Sequence, residues 1–205
     1  MENLMVGAFG WNQAGWLESF YPEDMPEDWR LDYYSQFFKA VLVPETEWQS
    51  WTNDDIDEIV EALEDETFYF VFDVVEVLND EAQARLMLLN TRLGTQAYGL
   101  LCHGTASVPA SLNEAYCVTY VTEGEALPER SLGWSWPYGG VTLWGEPLGY
   151  VSSLSDDGKQ QAEMLKCFMQ SLPEDREGAL FLVGESEQAM ASLKNLKVVG
   201  ELLGY

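Results

Sequence analysis

The chain has 205 residues, 47% of them hydrophobic and 13% aromatic, enough for one sizeable core and short for two independent ones. Its 35 acids against 10 bases give a formal net charge of -25, so a nucleic-acid backbone or an anionic lipid surface would be repelled. No apolar run approaches the roughly 20 residues of a membrane span, Met1-Glu2-Asn3 lacks the basic start of a secretory signal, and Cys102, Cys117 and Cys167 leave an odd thiol. A single cytoplasmic domain over residues 1–205 is expected.

In chain order, Leu4 to Gly10 reads as a short buried strand. Met25-Pro26-Glu27-Asp28 opens a helix, with proline in the first turn and acids at the positive end of its dipole; Leu31, Tyr34 and Phe38 form its apolar stripe. Ala40 to Val43 is a second strand, closed by Pro44. Thr52 or Asn53 caps a helix whose Ile56, Ile59, Val60 and Leu63 recur at the helical period. Thr67 to Val77 is aromatic and β-branched and predicts a central strand, followed by a helix from Asp80 to Leu93 that Gly94 stops. Strands are predicted at Tyr98 to Cys102, Ala115 to Val121 and Val141 to Trp144. A helix capped by Ser155 or Asp156 carries Ala162, Leu165, Met169 and Leu172. A strand at Ala179 to Val183 and a helix from Glu187 to Leu203 close the chain. Strands alternating with helices imply a parallel sheet or barrel covered on both faces.

The charge is uneven. Residues 1–84 hold 21 acids against only Arg30 and Lys39, while residues 85–205 hold 14 acids against 8 bases. Such a field either keeps the surface hydrated or steers a basic partner.

The run Gly7-Ala8-Phe9-Gly10-Trp11-Asn12-Gln13-Ala14-Gly15-Trp16, then Phe20-Tyr21-Pro22, Tyr33-Tyr34 and Phe37-Phe38, resembles the opening of the YecE-like family, also called domain of unknown function 72. Val41-Leu42-Val43, Phe70-Val71-Phe72, Val141-Thr142-Leu143-Trp144-Gly145 and the stretch from Ala179 to Leu203 resemble the family's second, third, seventh and final strands. The resemblance implies an α/β fold of the TIM-barrel type. The family chain is longer, and the shortfall between about Gly104 and Gly140 implies an incomplete barrel or about seven strands. An open barrel leaves unpaired edges, and hence a route to a homodimer. The departures from the family pattern matter more. Its second-strand glutamate and asparagine fall on Leu42 and Pro44, its third-strand lysine on Val75, its seventh-strand arginine and histidine on Thr142 and Trp144, its paired asparagines on Gly184 and Glu185, and its first-strand serine on Phe9. The scaffold is kept while the pocket is rewritten, as in a pseudoenzyme.

In such a barrel, chemistry sits at the C-terminal ends of the strands. Those ends carry Glu45, Glu47, Asp73, Glu76, His103, Glu123, Glu146 and Glu185, a carboxylate-lined mouth, although acids are frequent enough here to occupy strand ends by chance. Glu45, Glu185 and His103 are the candidates for catalysis. His103 is the only histidine, so sites needing two imidazoles are excluded, and its neighbour Cys102 points to the opposite face. Cys117 and Cys167 lie in apolar runs and read as small core residues. No dinucleotide or Walker pattern occurs, so neither cofactor nor metal is predicted. The segment from Gly133 to Gly140, rich in tryptophan and glycine, reads as a loop that either contacts a ligand or plugs the barrel's gap. Trp11, Glu47, Trp136, Trp144 and Glu146 are the candidate ligand-binding residues; gathered at one mouth, they would suit a cationic or sugar-like small molecule.

Two functions follow. The first is a non-catalytic binding or regulatory protein that takes a basic protein or peptide on its acidic half. The second is a carboxylate-dependent hydrolase of sugars or phosphate esters using Glu45 and Glu185, with or without a divalent cation.

Overall fold

A computed structural model describes residues 4–63, 67–104, 106–124, 133–174, 176, 178–185 and 189–205. They build a nine-stranded sheet that curls into a nearly closed barrel surrounded by helices. In chain order these are β1 (Leu4–Phe9), α1 (Arg30–Ser35), β2 (Ala40–Val43), α2 (Glu45–Ser50), α3 (Asn53–Ala62), β3 (Tyr69–Val74), α4 (Asp80–Leu93), β4 (Ala97–His103), α5 (Ala110–Ala115) and β5 (Cys117–Glu123). They continue with β6 (Trp134–Tyr138), β7 (Val141–Gly145), β8 (Gly149–Val151), α6 (Gly158–Ser171), β9 (Ala179–Val183) and α7 (Ala189–Leu203). The order across the sheet is β6-β7-β5-β4-β3-β2-β1-β9-β8.

From β5 to β8 every neighbouring pair is parallel. The fold is therefore α/β and TIM-barrel-like, as the alternation of elements implies. All seven predicted strands are present. Two more join them: β8, and β6, which occupies the segment read as a loop. β6 and β7 form an antiparallel ribbon, and β7 pairs antiparallel with β5. The Val141–Gly145 segment is thus not a seventh parallel strand; it runs against the rest.

Local chemistry explains the helices. The Thr52 side chain accepts the Asp55 amide at 3.2 Å while the Asp55 carboxylate accepts the Thr52 amide at 2.6 Å, a reciprocal cap that starts α3. Asn79 caps α4 at the Ala82 amide, and Gly94 ends it. The sixth helix is capped by Asp157, not by Ser155 or Asp156, and its buried stripe is Gln161, Met164, Leu165 and Phe168. The predicted start of the last helix, Glu187, lies outside the described residues. Cys167 is exposed on α6 rather than in the core, because its neighbours Met164, Leu165 and Phe168 take the inward face.

The two faces of the sheet follow from register and alternation. Ala8, Val41, Phe70, Phe72, Val74 and Cys102 face the helical layer; Gly7, Leu42, Val71, Asp73, Leu101 and His103 face the barrel interior. Tyr34 of α1, fully buried, spans the outer face of β1 and β2. Its hydroxyl donates to the Ala40 carbonyl at 3.0 Å and accepts the Ala8 amide at 2.9 Å. Tyr34→Phe leaves a buried amide unpaired and a carbonyl short of a donor. It is expected to cost about 2 kcal/mol, read as a lower urea midpoint with an unchanged denaturant slope.

Candidate functional site

The predicted ligand residues Trp11 and Glu47 come together; the others do not join them. Trp11 follows the end of β1, Pro44 turns the chain out of β2 into α2, and α2 sets Glu47 outward while burying Trp48 completely. With Trp51, Glu27, Asp28, Leu31, Asp55 and Glu58 they line a cleft of about 680 Å³ between α1, α2 and α3, within the usual size range of ligand sites. The rings of Trp11 and Trp51 lie 6.1 Å apart at 42°, and Trp51 packs edge-on against Phe72 behind it. Tyr21 donates its hydroxyl to the Trp11 carbonyl, which fixes the backbone beneath the ring. Asn12 bonds both Glu27 and Arg30, each at 3.4 Å. Trp29, 63% exposed, stands on the same turn as Glu27 and Asp28.

The cleft is lined by acids and carries no basic side chain of its own among its lining residues. Burial, reinforced by the negative charge of Glu27, pushes the Glu47 carboxyl up to about 7. The hydrogen bonds from Thr52 hold Asp55 below the usual carboxylate range. Five carboxyl groups lining one cleft favour an ammonium or guanidinium group and repel anions.

Trp144, Trp136 and Glu146 lie elsewhere, and the antiparallel course of β7 is the reason. It turns the C-terminal end of that strand away from the mouth: Gly145 pairs with Thr119, near the start of β5. Glu146 therefore sits at the opposite end of the barrel. There Arg176 is 3.5 Å from its carboxylate, donates to the Pro147 carbonyl at 3.2 Å and contacts the Tyr98 hydroxyl. Trp144 stacks on Tyr120 at 4.3 Å. Trp136 is 1% exposed and packs on Phe168 of α6 and Phe181 of β9, so this part of the glycine- and tryptophan-rich segment fills the seam between the ends of the sheet.

At the mouth itself, Glu45 spends one carboxylate oxygen on the Val75 and Glu76 amides, at 2.7 and 3.1 Å. Glu185 is exposed after β9, and Glu123 is exposed at the end of β5. His103 Nε2 lies 2.8 Å from Asp73 Oδ1, on adjacent strands. Cys102 is fully buried on the other face; burial, with the charges of Asp73 and Glu45, pushes its thiol up to about 12, so it is not a nucleophile. Among the described residues no group of three or more His, Cys, Asp or Glu side chains is placed to hold a metal ion. No helix among them is long and apolar enough to cross a membrane.

Sequence reasoning missed Trp51, Glu27, Asp28, Asp55 and Glu58 as partners of Trp11 and Glu47. The available signal was the second short helix: Pro44 followed by acids starts a helix, and Trp48 and Trp51 at spacing three then flank Glu47.

These features define a TIM-barrel-like α/β protein with an acidic, tryptophan-floored cleft beside the first two strands. Residues 5–106 match the model of the family described as protein of unknown function DUF72, the YecE-like family, so the match covers about half of the chain. Neither a curated protein nor a solved structure matches the chain.

Proposed function

We propose that the protein binds a basic protein or peptide, with a lysine or arginine side chain of the partner seated in the cleft lined by Trp11, Trp51 and Glu47. The observation that carries this reading is the cleft: all its lining residues fall between Trp11 and Ala62, inside the stretch that holds 21 acids and two bases. The surrounding field attracts a basic partner from a distance, and the indoles give the seated cation apolar and π contact. Loss of the family's polar strand-end groups is consistent with a role in binding.

The sign of the pH dependence follows from Glu47. Its carboxyl titrates higher in the fold than in the unfolded chain, so its contribution to stability is present at low pH and is lost as pH rises through about 7. A seated cation reverses that preference. Glu27, Asp28, Asp55 and Glu58 share the cleft, with Arg30 behind Asn12. Between pH 6 and pH 8 a fluorescent Lys/Arg-rich peptide is therefore expected to bind about tenfold more tightly, as Glu47 passes from mostly neutral to mostly charged. Anisotropy titrations measure this, and raising the salt concentration should weaken binding at both pH values. Glu47→Gln should remove the pH dependence while leaving the salt dependence. A peptide that shows no salt-sensitive binding, together with a lysate pull-down that yields no salt-sensitive partner, overturns the reading.

A further inference from the structure

The barrel mouth holds a second arrangement, formed by side chains from three strands. Asp73 of β3 is 5% exposed, and a carboxylate so buried requires a partner. That partner is His103 of β4, whose Nε2 lies 2.8 Å from Oδ1. A carboxylate only accepts, so Nε2 is the donor of this pair and Nδ1 is the nitrogen turned away from Asp73. Nδ1 makes no hydrogen bond among the described residues, and the side chain is 28% exposed. The Asp73 backbone is itself fixed, since the Trp48 indole donates to its carbonyl at 2.9 Å. Across the barrel, Tyr150 of β8 presents its ring edge-on to His103 at 5.8 Å. Its hydroxyl passes Gly184 so closely that a Cβ there would lie 3.0 Å from it. Burial and the Asp73 charge push this phenol up to about 12, so it stays protonated and able to donate.

A histidine held by a buried carboxylate, with its other nitrogen open, is the geometry of a general base; a neutral phenol opposite is a hydrogen-bond donor. Both stand at the C-terminal ends of parallel strands, where barrels of this kind place their chemistry. We propose that His103 is the catalytic base of a hydrolytic site at the barrel mouth, with Asp73 as its positioning residue and Tyr150 as donor, acting on a small uncharged or cationic ester. A water molecule gives its proton to His103 Nδ1 as its oxygen bonds to the ester carbonyl carbon. Asp73 holds the imidazolium, and the Tyr150 hydroxyl donates to the carbonyl oxygen. The carbon–oxygen bond to the alcohol then breaks, and the leaving oxygen takes the proton back from Nδ1. The products are a carboxylic acid and an alcohol, and the dyad is regenerated. The net charge of -25 disfavours an anionic ester. This site is separate from the cleft and stands or falls independently of peptide binding there.

The probe is 4-nitrophenyl acetate, with the full chain. Turnover above the buffer blank is expected, with a loss of about a hundredfold or more in His103→Gln, the scale of general base catalysis. Tyr150→Phe, which keeps the ring, should lower kcat. Asp73→Asn should lower kcat with KM unchanged; because His103 is the only histidine, ¹⁵N-histidine labelling should show its tautomer switch in that variant. Thermal unfolding checks that each variant is folded. The absence of turnover in the wild type, or rates in folded His103→Gln equal to wild type, overturns the proposal. A folded Asp73→Asn with unchanged kcat removes Asp73 from it.

Discussion

Replacing Trp136 with alanine is expected to cost about 3–5 kcal/mol of folding stability, the usual range for emptying a fully buried tryptophan site. In a chain of this size that lowers the melting temperature by roughly 6–20 °C. The reason lies in the seam. The sheet ends at β6 on one side and β8 on the other, with no ladder of hydrogen bonds between the two. What joins them is side-chain packing: Trp136 against Phe168 at 5.2 Å and Phe181 at 6.0 Å, its indole nitrogen 3.4 Å from the Cys167 sulfur, and Trp134 bonded to Ser171 at 3.0 Å. Removing the larger anchor frees the ribbon from α6 and uncovers two strand edges, which other chains can extend. Trp136→Ala is therefore expected to self-associate on sedimentation as well as to melt early. A melting temperature within about 2 °C of wild type would show that the ribbon does not hold the seam.

Gly7→Ala is expected to cost about 3 kcal/mol or more, the upper part of the range for overpacking. Gly7 sits in β1, paired with Ala40 of β2 on one side and Leu182 of β9 on the other. A Cβ at this position would lie 2.1 Å from the Ala40 carbonyl oxygen and 3.1 Å from the Leu182 side chain. The first contact is with backbone, which cannot rotate away, so β1 and β2 must separate. The same Ala40 carbonyl receives the Tyr34 hydroxyl, so the shift also strains the bond that ties α1 to the sheet. The measurement is chemical denaturation of the variant. A midpoint unchanged from wild type would mean that the two strands can move apart freely, contrary to their shared register.

Much of the scaffold was legible because its signals are local. The Thr52-to-Asp55 cap, the Asp80–Leu93 helix with its glycine stop, and the apolar runs of β1, β2, β3 and β9 each depend on residues within a few positions of one another. β6 was not legible, because glycine and proline flank its aromatics and the stretch carries turn chemistry at both ends. The direction of β7 was not legible either. The two-residue period that marks a strand is identical for parallel and antiparallel pairing, so Val141–Gly145 was identified as a strand and its orientation was not.

The sequence by itself determined the class of fold, seven of its nine strands in order, the resemblance carried by both ends of the chain, and the crowding of acids into residues 1–84. Those are properties of composition, period and motif. Only the tertiary structure decided where the chemistry falls. It set Trp11 against Trp51 and Glu47, brought His103 to Asp73 across 30 residues of chain, and carried Glu146 and Trp144 away from the mouth. The physical reason is that these placements rest on strand register, strand direction and the packing of helices on the barrel, and none of the three is fixed by residues adjacent in sequence.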